Sequence, residues 1–131
     1  MASKFGSAIL IVAILFFLLT TVSASVRPER FAEQLGMKIV NAGGTNEVYA
    51  QYAGFFLAAA IVCLIALLGQ ISRAAAYIML VAIFGGLLAG RAFSLIANGG
   101  MAGFTPTIVS LYAIDTIGLV LAATAYAFDR A

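Results

Sequence analysis

Histidine is absent from the 131 residues of this chain, and cysteine occurs only once. Imidazole is the usual protein ligand of haem iron and zinc, and the usual general acid–base group near neutral pH. The chain alone therefore lacks the side chains for a conventional zinc site or a bis-histidine haem, and we expect neither metal nor cofactor. The single cysteine, Cys63, excludes an internal disulfide, and its place in an apolar run is typical of a small buried hydrophobe.

Charged residues are also scarce: they make up 9% of the chain, whereas 64% of it is hydrophobic. A soluble domain carries about a quarter charged residues, and a small fold cannot bury so large an excess of apolar surface. The solvent must therefore be lipid. The net charge of +2 is small and includes no basic cluster, which argues against a nucleic-acid partner. The length fits one membrane domain, residues 1–131.

Four continuous apolar stretches are long enough to cross a bilayer as helices, which takes about 20 residues each. They cover residues 6–25, 48–68, 74–96 and 108–128. Because hydrophobic residues run continuously and do not alternate with polar ones, helices are favoured over a barrel. The first stretch follows Lys4 and resembles a signal peptide, but its length favours a retained anchor. We predict an all-α membrane protein, an antiparallel bundle of four transmembrane helices.

One sizeable polar stretch, residues 26–47, joins the first two spans. It contains an apolar stripe at four-residue spacing that consists of Phe31, Leu35 and Ile39. The stripe predicts a short amphipathic helix in the membrane interface, with an ordered loop as the alternative. Gly43 and Gly44 should end this helix, and Asn46 should cap the second span.

Three charges lie inside the predicted spans or at their ends: Glu47, Arg91 and Asp115. Asp115 lies about 10 Å deep at a rise of about 1.5 Å per residue, where an ionised carboxylate is costly unless it is paired or hydrated. The alternating direction of the spans brings all three charges near one interface. Polar residues close to them in the sequence are Asn46, Gln51, Ser94 and Asn98.

This group of charges has two interpretations. The functional interpretation is a polar pocket that binds a lipid headgroup, a quinone-like ring or another small molecule. The structural interpretation is an ion-pair network that fixes the register of the helices. Arg91 between two carboxylates would satisfy such a network without any ligand.

Small side chains recur every four residues along the last three predicted spans. Such stripes let helix backbones approach closely in lipid, where apolar burial gives no drive for association. We predict that they pack the helices of the bundle, with a face for a partner protein as the alternative. The glycines in the stripes are Gly54, Gly86, Gly90 and Gly118.

The basic residues outside the spans are divided evenly between the two membrane faces. Lys4, Arg73 and Arg130 lie on the face of the termini, and Arg27, Arg30 and Lys38 lie on the other. An even division leaves the positive-inside rule without a preference. The anchor-like first span favours both termini in the cytoplasm, with the chain in a bacterial inner membrane.

Several short motifs occur in and around the last three spans: Asn46-Glu47, Tyr52-Ala53-Gly54, Gly90-Arg91 with Ser94, and Asn98-Gly99. Together they resemble an uncharacterised bacterial family of four-span membrane proteins, the domain-of-unknown-function family 4345. The resemblance covers residues 43–128. Two departures are Ala53, where such proteins show glycine, and Asn98, where they tend to have aspartate. The resemblance implies a four-helix fold and draws attention to Glu47, Arg91 and Asp115, but it implies no reaction.

The sequence favours a non-catalytic accessory subunit of a larger membrane complex, respiratory or photosynthetic. Its partners would be membrane lipid and other membrane subunits, and the small size and lack of cofactor ligands support this role. The alternative is a protein, or an enzyme, that binds a small molecule, lipid or quinone at Glu47, Arg91 and Asp115. The alternative predicts a cavity lined by these side chains, whereas the accessory role predicts direct pairing and no void.

Overall fold

The computed structural model describes residues 3–130, and no β-strand occurs among them. Five helices account for most of this range: α1 (Lys4–Val26), α2 (Pro28–Gln34), α3 (Ala42–Leu67), α4 (Arg73–Asn98) and α5 (Pro106–Arg130). Four of them, α1, α3, α4 and α5, are long and apolar enough to cross a membrane. The prediction of an all-helical protein with four candidate membrane spans is therefore confirmed.

The polar connection after α1 folds into a shorter helix than its apolar stripe predicts. α2 ends at Gln34, and Gly36 then takes a left-handed backbone conformation with φ +73°. Such a residue closes a helix, because only glycine enters this region without a steric cost. Ile39 therefore lies outside α2, and the predicted four-residue stripe does not continue along one helix.

α3 begins before the apolar stretch that predicted it. Its N-terminal cap is Asn41, whose side-chain oxygen accepts a hydrogen bond from the backbone N–H of Gly44 at 3.0 Å. Asn46, the predicted cap, lies inside the helix, and so do Gly43 and Gly44, which were expected to end the preceding helix. These two predictions are wrong because the polar residues before the apolar run continue the helix instead of introducing it.

The apolar core joins α1, α3 and α4 around aromatic side chains. Phe17 is fully buried, and its ring centroid lies 5.4 Å from that of Phe56 and 6.1 Å from that of Phe84. Cys63 is buried nearby as a free thiol. Small side chains let the helices, α5 included, approach these rings, and the buried alanines of this cluster are Ala13, Ala59, Ala60, Ala66, Ala76, Ala122 and Ala125.

Polar side chains join the start of α1 to α4 and α5, and we call this group the terminal clamp. The Asp129 carboxylate accepts hydrogen bonds from the Ser3 backbone N–H at 3.1 Å and from the Tyr77 hydroxyl at 2.8 Å. Arg73 donates to the Ser7 hydroxyl at 2.9 Å. The clamp holds the first and last turns of the fold together.

Gly118 of α5 packs against α4, since an added Cβ would lie 2.8 Å from the ring of Phe84. We expect Gly118→Ala to lower the free energy of unfolding by about 1–3 kcal/mol, because a buried ring must move. Gly86→Ala is the matched control, since no atom lies within 4 Å of its Cβ position. Thermal unfolding of both variants in one detergent measures the difference, and equal stability would contradict this packing.

Candidate functional site

Two of the three predicted charges form a direct ion pair between α4 and α5. The Nε of Arg91 donates to Oδ2 of Asp115 at 2.5 Å. The short connection between these helices places the two side chains at the same depth. The Asp115 side chain is only 2% exposed, whereas that of Arg91 keeps 18% exposure. Close pairing makes the net charge of this buried site zero.

Tyr112 holds the main chain and the side chain of Arg91. Its hydroxyl donates to the Arg91 carbonyl oxygen at 3.0 Å, and the guanidinium carbon lies 5.5 Å from the centre of its ring. That distance is within the range of cation–π attraction. Phe104 stacks on Tyr112 with ring centroids 6.2 Å apart. The guanidinium is therefore held in place by an anion, a ring and the neighbouring helix.

Arg91 retains hydrogen-bonding capacity after these contacts. A guanidinium has five N–H donors, and within residues 3–130 only the Nε–H of Arg91 makes a hydrogen bond. Its terminal nitrogens make none to the described part of the chain. A charged group with unused donors at a partly exposed position is ready to accept a further hydrogen-bonding partner.

A cavity of about 690 Å³ lies beside the ion pair. This volume falls in the range of roughly 300–1,000 Å³ that is typical of small-molecule sites. Among the residues that line it, Arg91 and Asp115 alone carry charge, and most of the others are aromatic, aliphatic or glycine. Every helix contributes, with Phe16 and Thr20 from α1, Phe31 and Gln34 from α2, Tyr52 and Phe56 from α3, Gly86, Leu87, Gly90, Arg91 and Ser94 from α4, and Thr107, Ile108, Leu111, Tyr112 and Asp115 from α5.

Two of the predicted packing glycines form part of this wall. A Cβ added at Gly86 or Gly90 would meet no atom within 4 Å. Their missing side chains leave space for the cavity instead of bringing another helix close. At Gly54 the nearest atom is the Tyr49 carbonyl oxygen of its own helix, at 3.5 Å. Of the four predicted glycines, Gly118 alone meets a neighbouring helix closely.

A π-helical segment, Tyr49–Gly54, interrupts α3 next to the cavity. The wider turn alters the regular hydrogen-bond ladder, and π-bulges of this kind are frequent at functional sites. The Thr21 hydroxyl donates to the Ala53 carbonyl oxygen within the segment at 3.1 Å. The segment carries Tyr52, whose ring lines the cavity. Hydrophobic periodicity has no signal for such a turn, so the sequence did not predict it.

α2 and the chain that follows it border the cavity at one end. The ring of Phe31 lies 5.1 Å from that of Tyr52, and both rings line the cavity. The Thr105 hydroxyl donates to the Gln34 carbonyl oxygen at 2.6 Å, which links the end of α2 to the turn before α5. The connection between the first two spans therefore forms part of the site.

Glu47 lies outside the cavity and is exposed. The Asn46 side-chain amide donates to its carboxylate at 3.4 Å, and Glu47 makes no ion pair within residues 3–130. Gln51, one turn later, is also exposed. Val48 and Ala53 are the buried residues of this part of α3, so the face that carries Glu47 and Gln51 points away from the core. Of the three charges that were expected to cluster, only Arg91 and Asp115 form an ion pair within residues 3–130.

The polar residues of α4 lie at and beside the cavity. Ser94 is in its wall, and the Asn98 side-chain amide donates to the Ser94 hydroxyl at 3.0 Å. The sequence did not assign the phenylalanine rings of the wall to a site, and it named Phe31 only as part of the apolar stripe. Their convergence from separate helices distinguishes them, and those rings are Phe16, Phe31, Phe56 and Phe104.

No protein-family model, curated protein or solved structure matches this chain. Within residues 3–130 no group of three acidic or cysteine side chains is placed to hold a metal ion. An apolar cavity that ends at a charge-neutral pair with free N–H donors suits an amphiphile that carries a hydrogen-bond acceptor.

Proposed function

We propose that this protein binds a neutral, carbonyl-bearing amphiphile of the membrane, such as a quinone or a lipid. The observation that carries the proposal is the cavity of about 690 Å³ that meets Arg91, a guanidinium with unused donors. The sequence alone favours an accessory subunit and gives ligand binding as the alternative. The cavity favours ligand binding, because the accessory role predicts a filled interior at the charged residues.

The ion pair supports a neutral ligand over an anionic one. Asp115 already neutralises Arg91 at 2.5 Å, so an anion would add net negative charge beside a buried carboxylate. Charge is expensive in this setting because the surrounding dielectric is low. A carbonyl oxygen accepts a hydrogen bond from a terminal guanidinium N–H without bringing charge.

The remaining wall suits a ring or an acyl chain. Phe16, Phe56 and Tyr52 present aromatic surface from α1 and α3, and Leu87 and Leu111 present aliphatic surface from α4 and α5. A ligand that comes from the bilayer gains little from apolar burial alone, because lipid is as apolar as this wall. Affinity would come from close packing against these side chains and from the hydrogen bond to Arg91, which would also set the orientation of the ligand.

An accessory subunit remains the second candidate. The observation that favours it is the direct contact of Arg91 with Asp115, because a structural ion pair needs no ligand to be satisfied. In this account the exposed apolar side chains of the spans would face lipid and the helices of a larger complex. A respiratory or photosynthetic assembly is the kind of partner that the sequence suggests.

We also propose that the spans form an antiparallel bundle, with α2 in the membrane interface and both termini in the cytoplasm of a bacterial cell. Contacts in reversed order along α4 and α5 support the antiparallel pairing: Tyr77 with Asp129, Phe84 with Gly118, and Arg91 with Asp115. We propose as well that the chain is a member of the domain-of-unknown-function family 4345, and the support for this is the short motifs around Glu47 and Arg91.

Native mass spectrometry of the protein extracted gently from its own membranes tests the two candidate functions against each other. The binding role predicts a chain, alone or self-associated, that carries one small molecule per copy. Stoichiometric association with larger subunits, and no small molecule, would favour the accessory role. The mass of a bound molecule would identify the class of ligand directly.

A further inference from the structure

The net charge of the chain is located at one end of the fold. The end where α1 begins and α5 finishes holds three cations and one carboxylate, namely Lys4, Arg73, Arg130 and Asp129. All other charges balance, because four cations and four carboxylates remain, including the ion pair in the cavity. The net charge of +2 therefore belongs to the end that carries the terminal clamp.

A second cavity, of about 330 Å³, lies at this end between the start of α4 and the finish of α5. We call it the terminal cavity. Arg73 and Arg130 both line it, together with the rings of Tyr77 and Tyr126 and the carboxylate of Asp129. Arg73 begins α4 and lies about five helical turns before Arg91. The two cavities share no lining residue.

Both arginines of the terminal cavity keep unused donors. Arg73 is half-buried, and its hydrogen bonds within residues 3–130 use one terminal nitrogen, which contacts the Ser7 hydroxyl at 2.9 Å and the Ser3 carbonyl oxygen at 3.5 Å. The guanidinium carbon of Arg130 lies 4.8 Å from the ring centre of Tyr126. Two such groups at one cavity match a phosphate, which accepts paired N–H donors from each.

The carboxylate in the terminal cavity is held by donors other than the two arginines. Asp129 makes no ion pair within the described part of the chain, and its two oxygens accept hydrogen bonds from Ser3 and Tyr77. Exposed apolar residues adjoin the lining residues in the sequence: Ile78, which follows Tyr77, is 54% exposed, and Phe128, which precedes Asp129, is 61% exposed. A ligand with a phosphate and long acyl chains meets both features, whereas free phosphate meets only the first.

We propose that the terminal cavity binds the phosphate of an anionic phospholipid between Arg73 and Arg130, with the acyl chains along α4 and α5. Basic pockets between transmembrane helices are typical sites for such headgroups. The lipid would lie in the leaflet at the face of the termini. This site is independent of the cavity at Arg91, so either proposal can fail without the other.

Native mass spectrometry of the full chain in mild detergent, titrated with phosphatidylglycerol or with phosphatidylcholine of the same acyl chains, tests this site. The wild type should bind phosphatidylglycerol more tightly. Arg130→Gln should lower that affinity by about fivefold, the loss typical of one basic contact with an anionic lipid. Arg27→Gln is the matched control, because it removes the same charge at the other end of α1.

Two results would overturn the proposal: equal affinity for both lipids, or the same loss of affinity in Arg27→Gln and Arg130→Gln. Arg73 also holds the terminal clamp, so Arg130 is the better site for substitution. A third arm uses inorganic phosphate as the probe. If it binds as tightly as phosphatidylglycerol, the assignment to a lipid is wrong and the site takes a free anion.

Discussion

Asp115→Asn is expected to lower the free energy of unfolding by about 3 kcal/mol, the lower end of the cost of removing one partner from a buried ion pair. Asparagine keeps the shape of the side chain but cannot neutralise Arg91. The guanidinium would then stay charged at a position with only 18% exposure. The lower end of the range applies because the cavity allows Arg91 some hydration.

Glu47→Gln is the matched control for this substitution. It also removes one negative charge, and Glu47 was predicted to belong to the same cluster as Asp115. Glu47 is exposed, however, and makes no ion pair within residues 3–130. We expect it to change stability by no more than about 0.5 kcal/mol, as is usual for surface sites. Equilibrium unfolding in mixed micelles measures both variants. Equal losses would show that Glu47 belongs to the charge network after all.

A double variant separates loss of the pair from loss of one partner. Arg91→Met with Asp115→Leu replaces both charges by apolar side chains and leaves no unpaired group. Such replacements are often neutral or stabilising, so we expect most of the stability lost in Asp115→Asn to return. A double variant as unstable as Asp115→Asn would mean that the pair itself stabilises the fold.

Gly90→Leu is expected to lower the affinity for a cavity ligand at least tenfold while preserving the fold. No atom lies within 4 Å of a Cβ at Gly90, so the new side chain can enter the cavity without displacing the backbone. Leucine also favours a helix over glycine by nearly 1 kcal/mol. A decyl-substituted benzoquinone, titrated into the protein in lipid nanodiscs, measures the affinity.

Ala89→Leu is the control for this loss of binding. It adds the same side chain on the preceding residue of α4, which is exposed and does not line the cavity. Binding in this variant should match the wild type. If Gly90→Leu binds as the wild type does and keeps its thermal stability, the probe does not occupy the cavity.

The four candidate membrane spans and the pairing of Arg91 with Asp115 could be predicted from the sequence. Long apolar runs identify spans without any tertiary information, since lipid permits few alternatives. The pairing followed from depth alone, because a short connection between two helices places their residues at matching levels. Both inferences depend on distance along a helix axis, which the sequence contains.

The position of Glu47 and the cavity itself depend on rotation about helix axes, which composition and spacing do not determine. Glu47 was predicted from its depth alone to join the other two charges, but it lies on an exposed face of α3, just before an unpredicted π-helical segment, Tyr49–Gly54. Gly86 and Gly90 illustrate the same limit. A glycine stripe can bring helices together or leave a space, and only the neighbouring side chains decide which occurs.

Infrared difference spectroscopy of a benzoquinone labelled with carbon-13 at its carbonyls tests the binding proposal most directly. A hydrogen bond from the guanidinium of Arg91 weakens the carbonyl bond and lowers its stretching frequency. The wild type in nanodiscs should show a shifted carbonyl band that saturates at one probe per chain and is absent in Gly90→Leu. A spectrum identical to that of the probe in protein-free nanodiscs would contradict the proposal that this cavity binds a carbonyl at Arg91.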